Sequence, residues 1–153
     1  DHIFGNAFIA KKYKLELYIH ALEEKVLEHA PAFSLSLLGL PVESYKGPLH
    51  FLQEGQLISI GSHSLKIILA PGHSPGSICF YSEEQNFIIG GDVLFMESIG
   101  RSDFPGGNLQ QLLQSIREKF FTLPDDTIVY PGHGPSTTIG HEKKYNPYIK
   151  NEG

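Results

Sequence analysis

Residues 70–76 read APGHSPG, a glycine turn that follows an apolar run and carries a histidine. The same design recurs in IGGD at residues 89–92 and in YPGHGP at residues 130–135, and the chain opens with Asp-His. A strand end holds its side chains rigidly, and adjacent glycines let a bulky ion approach the backbone. Three histidines and two aspartates in these places suit zinc, iron or manganese. The candidate metal ligands are Asp1, His2, His73, Asp92 and His133.

Each of these segments has an ordinary structural explanation when it is taken singly. A lone Pro-Gly-His is usually a turn, an aspartate after Gly-Gly is as often a helix N-cap, and a terminal Asp-His pair is usually a frayed end. Their joint occurrence in this order favours the metal site, because a plain binding module would not need five ligand-type residues.

Composition limits the kinds of protein that the chain can be. Its 153 residues fit one domain with a real core, and 41% hydrophobic with 19% charged residues is an ordinary globular balance. The formal charge of −5 argues against nucleic-acid binding, and the apolar runs are too short for a membrane span. The single cysteine, Cys79, excludes an internal disulfide and a cysteine zinc site, so nitrogen and carboxylate ligands must hold any metal. The composition fits a reducing cytoplasm.

Hydrophobic periodicity predicts two helices and several short strands. Asn108, followed by Gln111 three residues later, is a good start for the second helix. Strands paired locally with helices between the groups predict a sheet covered by helix, an α/β (α+β) fold. The predicted elements are a strand at residues 15–19, a helix at 21–30 stopped by Pro31, a loop with one helical turn to residue 48, hairpins at 57–69 and 77–90, a helix with the buried stripe Leu109, Leu112, Leu113, Ile116 and Phe120, and a strand at 127–130.

The ligand-type segments resemble the metallo-β-lactamase superfamily, which carries His-x-His-x-Asp-His and then a later His, Asp and His. Residues 1–6, DHIFGN, are similar to the second half of that first motif with its glyoxalase II-like continuation. The later ligands match PGHSPGS around His73, GGDVLF around Asp92 and YPGHGPSTTIG around His133. The chain is thus identified as similar to a glyoxalase II-like (hydroxyacylglutathione hydrolase-like) hydrolase over residues 1–149.

The resemblance implies an αββα sandwich of two similar halves, with metals at one edge between the sheets. The two histidines expected just before Asp1 are absent from the chain, so we expect a domain over residues 1–153 that is incomplete at its N-terminus. Two zinc sites are expected in the full-length protein, with iron or manganese as alternatives. By resemblance, one site takes Asp1, His2, His133 and the bridging Asp92, and the other takes His73 and Asp92.

The resemblance also implies a mechanism. A metal-bound hydroxide, oriented by Asp1 and held with the help of Asp92, would attack the carbonyl of a small-molecule thioester. A thiol with a pKa of about 8.5 leaves as thiolate without a general acid, which favours a thioester over an amide. Arg101 is the one positively charged residue among residues 97–107. It could bind a substrate carboxylate, or it could pair with Asp103 and shape the loop.

Two other functions remain open at this point. Residues 100–104, GRSDF, also resemble a persulfide dioxygenase branch of the same fold, which uses a single iron. The third possibility is a non-catalytic fragment or binding module. We predict a cytoplasmic protein that binds neither nucleic acid nor membrane. Of the other histidines, His141 lies nearest to the last ligand motif.

Overall fold

The computed structural model describes residues 1–149, and the last four residues of the predicted domain lie outside that part. The chain forms two compact units, which divide between Leu52 and Gln53. The first unit contains a 3₁₀ turn at Ala21–Glu23 and four regular elements, which are α1 (Asn6–Tyr13), β1 (Leu17–Ile19), α2 (Glu24–Leu38) and β2 (Leu49–Phe51).

Two parallel strands and one tyrosine organise the first unit. Strand β1 pairs with β2, with Leu17 opposite Leu49. The Tyr45 hydroxyl accepts a hydrogen bond from the backbone N–H of Leu17 at 3.2 Å and donates one to the carbonyl of Pro48 at 2.8 Å. Tyr45 therefore ties the long connection after α2 to the start of β1.

The prediction that Pro31 ends a helix was wrong, and the predicted loop to residue 48 is confirmed only from Gly39 onward, because residues 31–38 belong to a helix. Helix α2 passes through Pro31 and continues to Leu38. A proline inside a helix removes one backbone donor and costs about 3 kcal/mol. The buried side chains of Leu27, Ala30 and Ser34, spaced three and four residues apart along one face, oppose that cost.

The second unit is built on a six-stranded sheet with the order β10-β9-β6-β5-β4-β3. Neighbouring strands are antiparallel except β6 and β9, which are parallel. Both predicted hairpins are confirmed, as β3–β4 and β5–β6. The strands are β3 (Leu57–Ile60), β4 (His63–Leu69), β5 (Ile78–Ser82), β6 (Phe87–Gly91), β7 (Leu94–Phe95), β8 (Ser98–Ile99), β9 (Ile128–Pro131) and β10 (Thr137–Thr138), of which β7 and β8 pair apart from the main sheet.

Two helices complete the second unit, α3 (Leu109–Ser115) and α4 (Ile139–Tyr145). A π-helical turn, Ile116–Phe120, follows α3 directly. The predicted N-cap is confirmed, because the Asn108 side chain accepts a hydrogen bond from the N–H of Gln111 at 3.0 Å.

The core of the second unit lies between α3, with its π-helical turn, and the sheet. Leu112, Ile116 and Phe120 are fully buried together with the strand residues Cys79, Ile88 and Val129. Leu109, predicted in the same stripe, is instead 48% exposed. Helical side chains point back toward the N-terminus, so a residue in the first turn reaches beyond the packed part of the helix.

Of the helices in residues 1–149, none combines the length and the apolar character that crossing a bilayer requires.

Two leucines on α3 give a matched test of this packing. Leu112→Ala should lower the free energy of unfolding by about 2–5 kcal/mol, because it opens a cavity in the core. Leu109→Ala removes the same atoms from an exposed position and should cost less than about 1 kcal/mol. Urea unfolding followed by circular dichroism measures both. Equal losses for the two variants would contradict the packing of α3.

Candidate metal centre

Three strands that run in the same direction bring the central candidate ligands to one edge of the sheet. Strands β6 and β9 are parallel, with Gly91 opposite Pro131 at their carboxyl ends. Strand β4 also runs in this direction, because it is antiparallel to β5 and β5 is antiparallel to β6. His73, Asp92 and His133 each follow one of these carboxyl ends by one to four residues. Sheet topology therefore places three ligand-type residues at the same end of the sheet, where the carboxyl ends of β4, β6 and β9 lie.

The turn that carries His73 packs against the start of α3. A Cβ atom on Gly72 would lie 2.3 Å from the backbone nitrogen of Leu112, so a larger residue cannot fit there. The Gly72 carbonyl accepts a hydrogen bond from the N–H of Asn108 at 2.8 Å, and the Ser115 hydroxyl donates to the carbonyl of Pro71 at 2.7 Å. The helix and its N-cap thus fix the backbone of the two residues directly before His73.

The His73 ring is held in one orientation by its second nitrogen. Its Nδ1 lies 2.7 Å from the backbone carbonyl oxygen of Arg101, which can only accept a hydrogen bond. Nδ1 therefore carries a proton, and in the neutral ring Nε2 has the lone pair. An edge contact with the Phe104 ring, at 5.6 Å between ring centroids, supports the imidazole from the side. Metal-binding histidines are commonly oriented by this kind of outer hydrogen bond.

Two imidazoles meet at one carboxylate oxygen. The Nε2 atoms of His73 and His133 each lie 3.7 Å from Oδ2 of Asp92, whose side chain is only 13% exposed. Atoms that each lie about 2.0–2.2 Å from one tetrahedral zinc ion are separated by roughly 3.3–3.6 Å. The spacing is too long for a hydrogen bond and close to that of ligands around an ion. These donors therefore fit a metal that prefers nitrogen and carboxylate.

Gly100 brings the following segment of chain next to this carboxylate residue. A Cβ atom on Gly100 would lie 1.8 Å from the carbonyl oxygen of Asp92 and 3.5 Å from Nδ1 of His73. The absence of a side chain here lets the backbone of Arg101 reach the His73 ring.

Asp1 and His2 belong to the first unit. Their side chains lie next to each other, with 4.0 Å between Nε2 of His2 and Oδ2 of Asp1, and both are largely exposed. Their assignment as ligands rests on the order of the motifs and stays a prediction.

The guanidinium of Arg101 faces Asp103 and not an open site. It donates two hydrogen bonds to the carboxylate, at 3.0 and 2.9 Å, and lies 4.3 Å from the centre of the Phe104 ring. The hydrogen bond from Arg101 holds the pKa of Asp103 below its ordinary value. Arg101 therefore pairs with Asp103 and shapes the loop, which is the second of the two roles considered above. Contact of Arg101 with a substrate carboxylate stays a prediction.

Sequence reasoning missed three parts of this site. The carbonyl of Arg101 leaves no trace in a sequence, since every residue has one. Phe104 and Phe95, whose ring lies 6.5 Å from that of His133, look like ordinary apolar residues of a loop. The signal that could have found them is their place in the sequence, since Phe95 ends the Asp92 motif and Phe104 lies in the segment that follows it.

Comparison with known proteins identifies the family. A family model described as "Metallo-beta-lactamase superfamily" matches residues 1–133. "Probable metallo-hydrolase YqgX" of Bacillus subtilis is 38% identical over 150 residues, which cover 97% of this chain and 71% of that protein. "Hydroxyacylglutathione hydrolase GloC" of Haemophilus influenzae is 35% identical over 153 residues, which cover 99% of this chain and 72% of that protein.

Solved structures confirm the predicted fold class. The crystal structure of BLEG-1 B3 metallo-beta-lactamase matches with a TM-score of 0.89 and 38% identity, over 99% of this chain and 73% of that one. The crystal structure of TTHA1623 in a di-iron-bound form matches with a TM-score of 0.87 and 34% identity, over 97% of this chain and 72% of that one.

The pairing of Arg101 with Asp103 can be measured by titration. The lowered pKa of Asp103 means that the bond stabilises the loop above the ordinary carboxyl pKa and is lost as pH falls through the lowered value. Arg101→Gln should raise the pKa of Asp103 toward its ordinary value, as followed by NMR of the carboxyl carbon. Lys119→Gln, which leaves this loop untouched, is the control. An unchanged pKa in Arg101→Gln would show that the pair does not persist in solution.

Proposed function

We propose that this chain, which belongs to the metallo-beta-lactamase superfamily of metallo-hydrolases, acts on thioesters of the hydroxyacylglutathione kind. The observation that carries the proposal is the meeting of the His73 and His133 Nε2 atoms at one oxygen of Asp92, with His73 locked in the tautomer that leaves Nε2 free to bind a cation. The thioester class is supported by the relative that is named a hydroxyacylglutathione hydrolase.

The proposed metal ligands divide into two groups around Asp92. His73 and Asp92 would hold one ion. The other ion would be held by His133 and Asp92 together with Asp1 and His2, as the motif order of the superfamily implies. The family match runs from residue 1 to residue 133, so it includes all five positions. Zinc is our proposal, and a similar solved structure is described as di-iron-bound, so iron is the first alternative.

A bound divalent ion would lower the pKa of water to about 7 and polarise the substrate carbonyl. The protein's own contribution is rigid placement. Asp92 presents its carboxylate from the end of strand β6, and the Arg101 carbonyl prevents the His73 ring from turning. Asp1 would accept a hydrogen bond from the attacking water and so orient it.

The leaving group explains the preference for thioesters. A thiol with a pKa of about 8.5 departs as thiolate near neutral pH, so the site needs no acid to protonate it. An amide nitrogen would need such an acid.

The substrate would be a small molecule. We also propose a cytoplasmic location for this reaction, from the composition of the chain.

The two alternative functions are less favoured than hydrolysis. Both relatives described above carry the name of a hydrolase, which argues against a non-catalytic module. A persulfide dioxygenase would consume oxygen in the presence of glutathione persulfide, so an oxygen electrode separates it from a hydrolase.

Replacing Asp92 tests the proposal directly. Asp92→Ala should lose the bound metal and lower the rate of hydroxyacylglutathione hydrolysis by at least about 100-fold, since removal of an outer partner alone costs 10–100-fold. Elemental analysis of the purified protein and release of free thiol measure the two effects. Asp126→Ala, at an exposed aspartate of the same unit, is the matched control and should keep both. A metal-loaded, fully active Asp92→Ala variant would refute the proposal.

A further inference from the structure

A carboxylate lies buried in the second unit, away from the proposed ligands. The Glu142 side chain, on α4, has no exposed surface. Its Oε1 accepts a hydrogen bond from the Thr137 hydroxyl at 2.5 Å, and its Oε2 accepts from the Asn146 amide at 2.8 Å and from the backbone N–H of Glu97 at 2.9 Å. Burying a carboxylate is costly before its hydrogen-bond partners compensate. Well-packed apolar residues often stabilise a fold as well as such a group does, so stability alone does not explain Glu142.

The partners of Glu142 hold one tight turn, between β7 and β8. Glu97 lies in this turn with a backbone φ of 53°, a left-handed conformation that residues other than glycine rarely adopt. Glu142 accepts its N–H, and the Asn146 amide also donates to the carbonyl of the next residue, Ser98, at 3.0 Å. The imidazole of His141 lies 3.0 Å from the Glu97 carboxylate. Two residues of α4 and one at its C-terminal end thus contact the turn. We call these three residues, His141, Glu142 and Asn146, the α4 clamp.

The hairpin that the clamp holds is connected to the proposed metal ligands at both ends. It starts two residues after Asp92, and its Phe95 ring makes an edge contact with His133. Its second strand, Ser98–Ile99, leads directly into Gly100 and Arg101. Gly100 lies against the Asp92 carbonyl, and Arg101 supplies the carbonyl that orients His73. A shift of this hairpin would therefore move the surroundings of all three ligands.

We propose that Glu142 is a positioning residue that acts through the β7–β8 hairpin to hold His73, Asp92 and His133 in ligand geometry. The proposal rests on the proposed function in taking these three side chains as the ligand set. The hydrogen bonds of Glu142 go to Thr137, Asn146 and Glu97, and none of these three is a proposed ligand. Glu142 fixes the strained turn, and the turn fixes Phe95 and the Arg101 carbonyl against the two imidazoles.

The test compares Glu142→Gln with a control that perturbs a different buried polar contact. Glutamine keeps the shape of the side chain but loses one acceptor oxygen. Thr127→Val is the matched control, because Thr127 is fully buried and its hydroxyl bonds Asn86, outside the hairpin. Three properties of the metal-free chain are measured for each variant. These are the melting temperature, the hydrogen exchange of the Glu97 and Gly100 amides, and the nitrogen NMR signals of the His73 and His133 rings. A cobalt(II) titration follows.

We expect Glu142→Gln to speed amide exchange at Glu97 and Gly100 at least tenfold relative to Thr127→Val. The His73 signals should move toward an average of both tautomers, and cobalt(II) should bind about tenfold more weakly. If Glu142→Gln does not fold, Asn146→Ala, which removes the donor to Ser98, should give the same pattern to a smaller degree.

Two outcomes separate this proposal from the proposed function. A Glu142→Gln variant that is less stable than the wild type but has unchanged histidine signals and cobalt(II) affinity would overturn the positioning role. A wild-type chain that binds no cobalt(II), while Glu142→Gln still shifts the histidine signals, would support the positioning role and count against the metal site itself.

Discussion

The common direction of strands β4, β6 and β9 is the constraint on which the candidate site depends. Parallel pairing of β6 with β9 fixes where Asp92 and His133 leave the sheet, because Gly91 and Pro131 lie opposite each other at the last paired position. A one-residue slip of either strand would turn the side chains of that strand to the other face. Burial of Ile88 and Val129 against α3 opposes such a slip, since it would bring these apolar side chains out of the core.

Successive layers of contacts then refine the placement of each side chain. The first is the backbone of the turns, where α3 packs against Gly72 so closely that no side chain fits. The second is the carbonyl of Arg101, which selects the tautomer of His73. The third is the β7–β8 hairpin, which joins Asp92 to Arg101 and is itself held from α4. Catalytic metal sites need this kind of support, because a ligand that can rotate away binds its ion weakly.

The features that sequence predicted and those that it missed differ in physical kind. Hairpins and the Asn108 cap were predicted because they depend on neighbouring residues, whose alternation and turn chemistry are visible in the chain. Helix α1 buries no side chain, so it has no apolar stripe to reveal it. Strands β7 and β8 have two residues each, too few to show a period. Pro31 and Glu142 were misjudged or overlooked because tertiary burial, and not local preference, decides their environment.

The position of the metal is the most direct test of this account. Crystals of the protein grown with zinc would give an anomalous difference map at the zinc absorption edge. We expect a peak about 2.0–2.2 Å from the Asp92 carboxylate and from Nε2 of His73 or His133. A zinc peak bound elsewhere, with the two imidazoles turned away from Asp92, would contradict it.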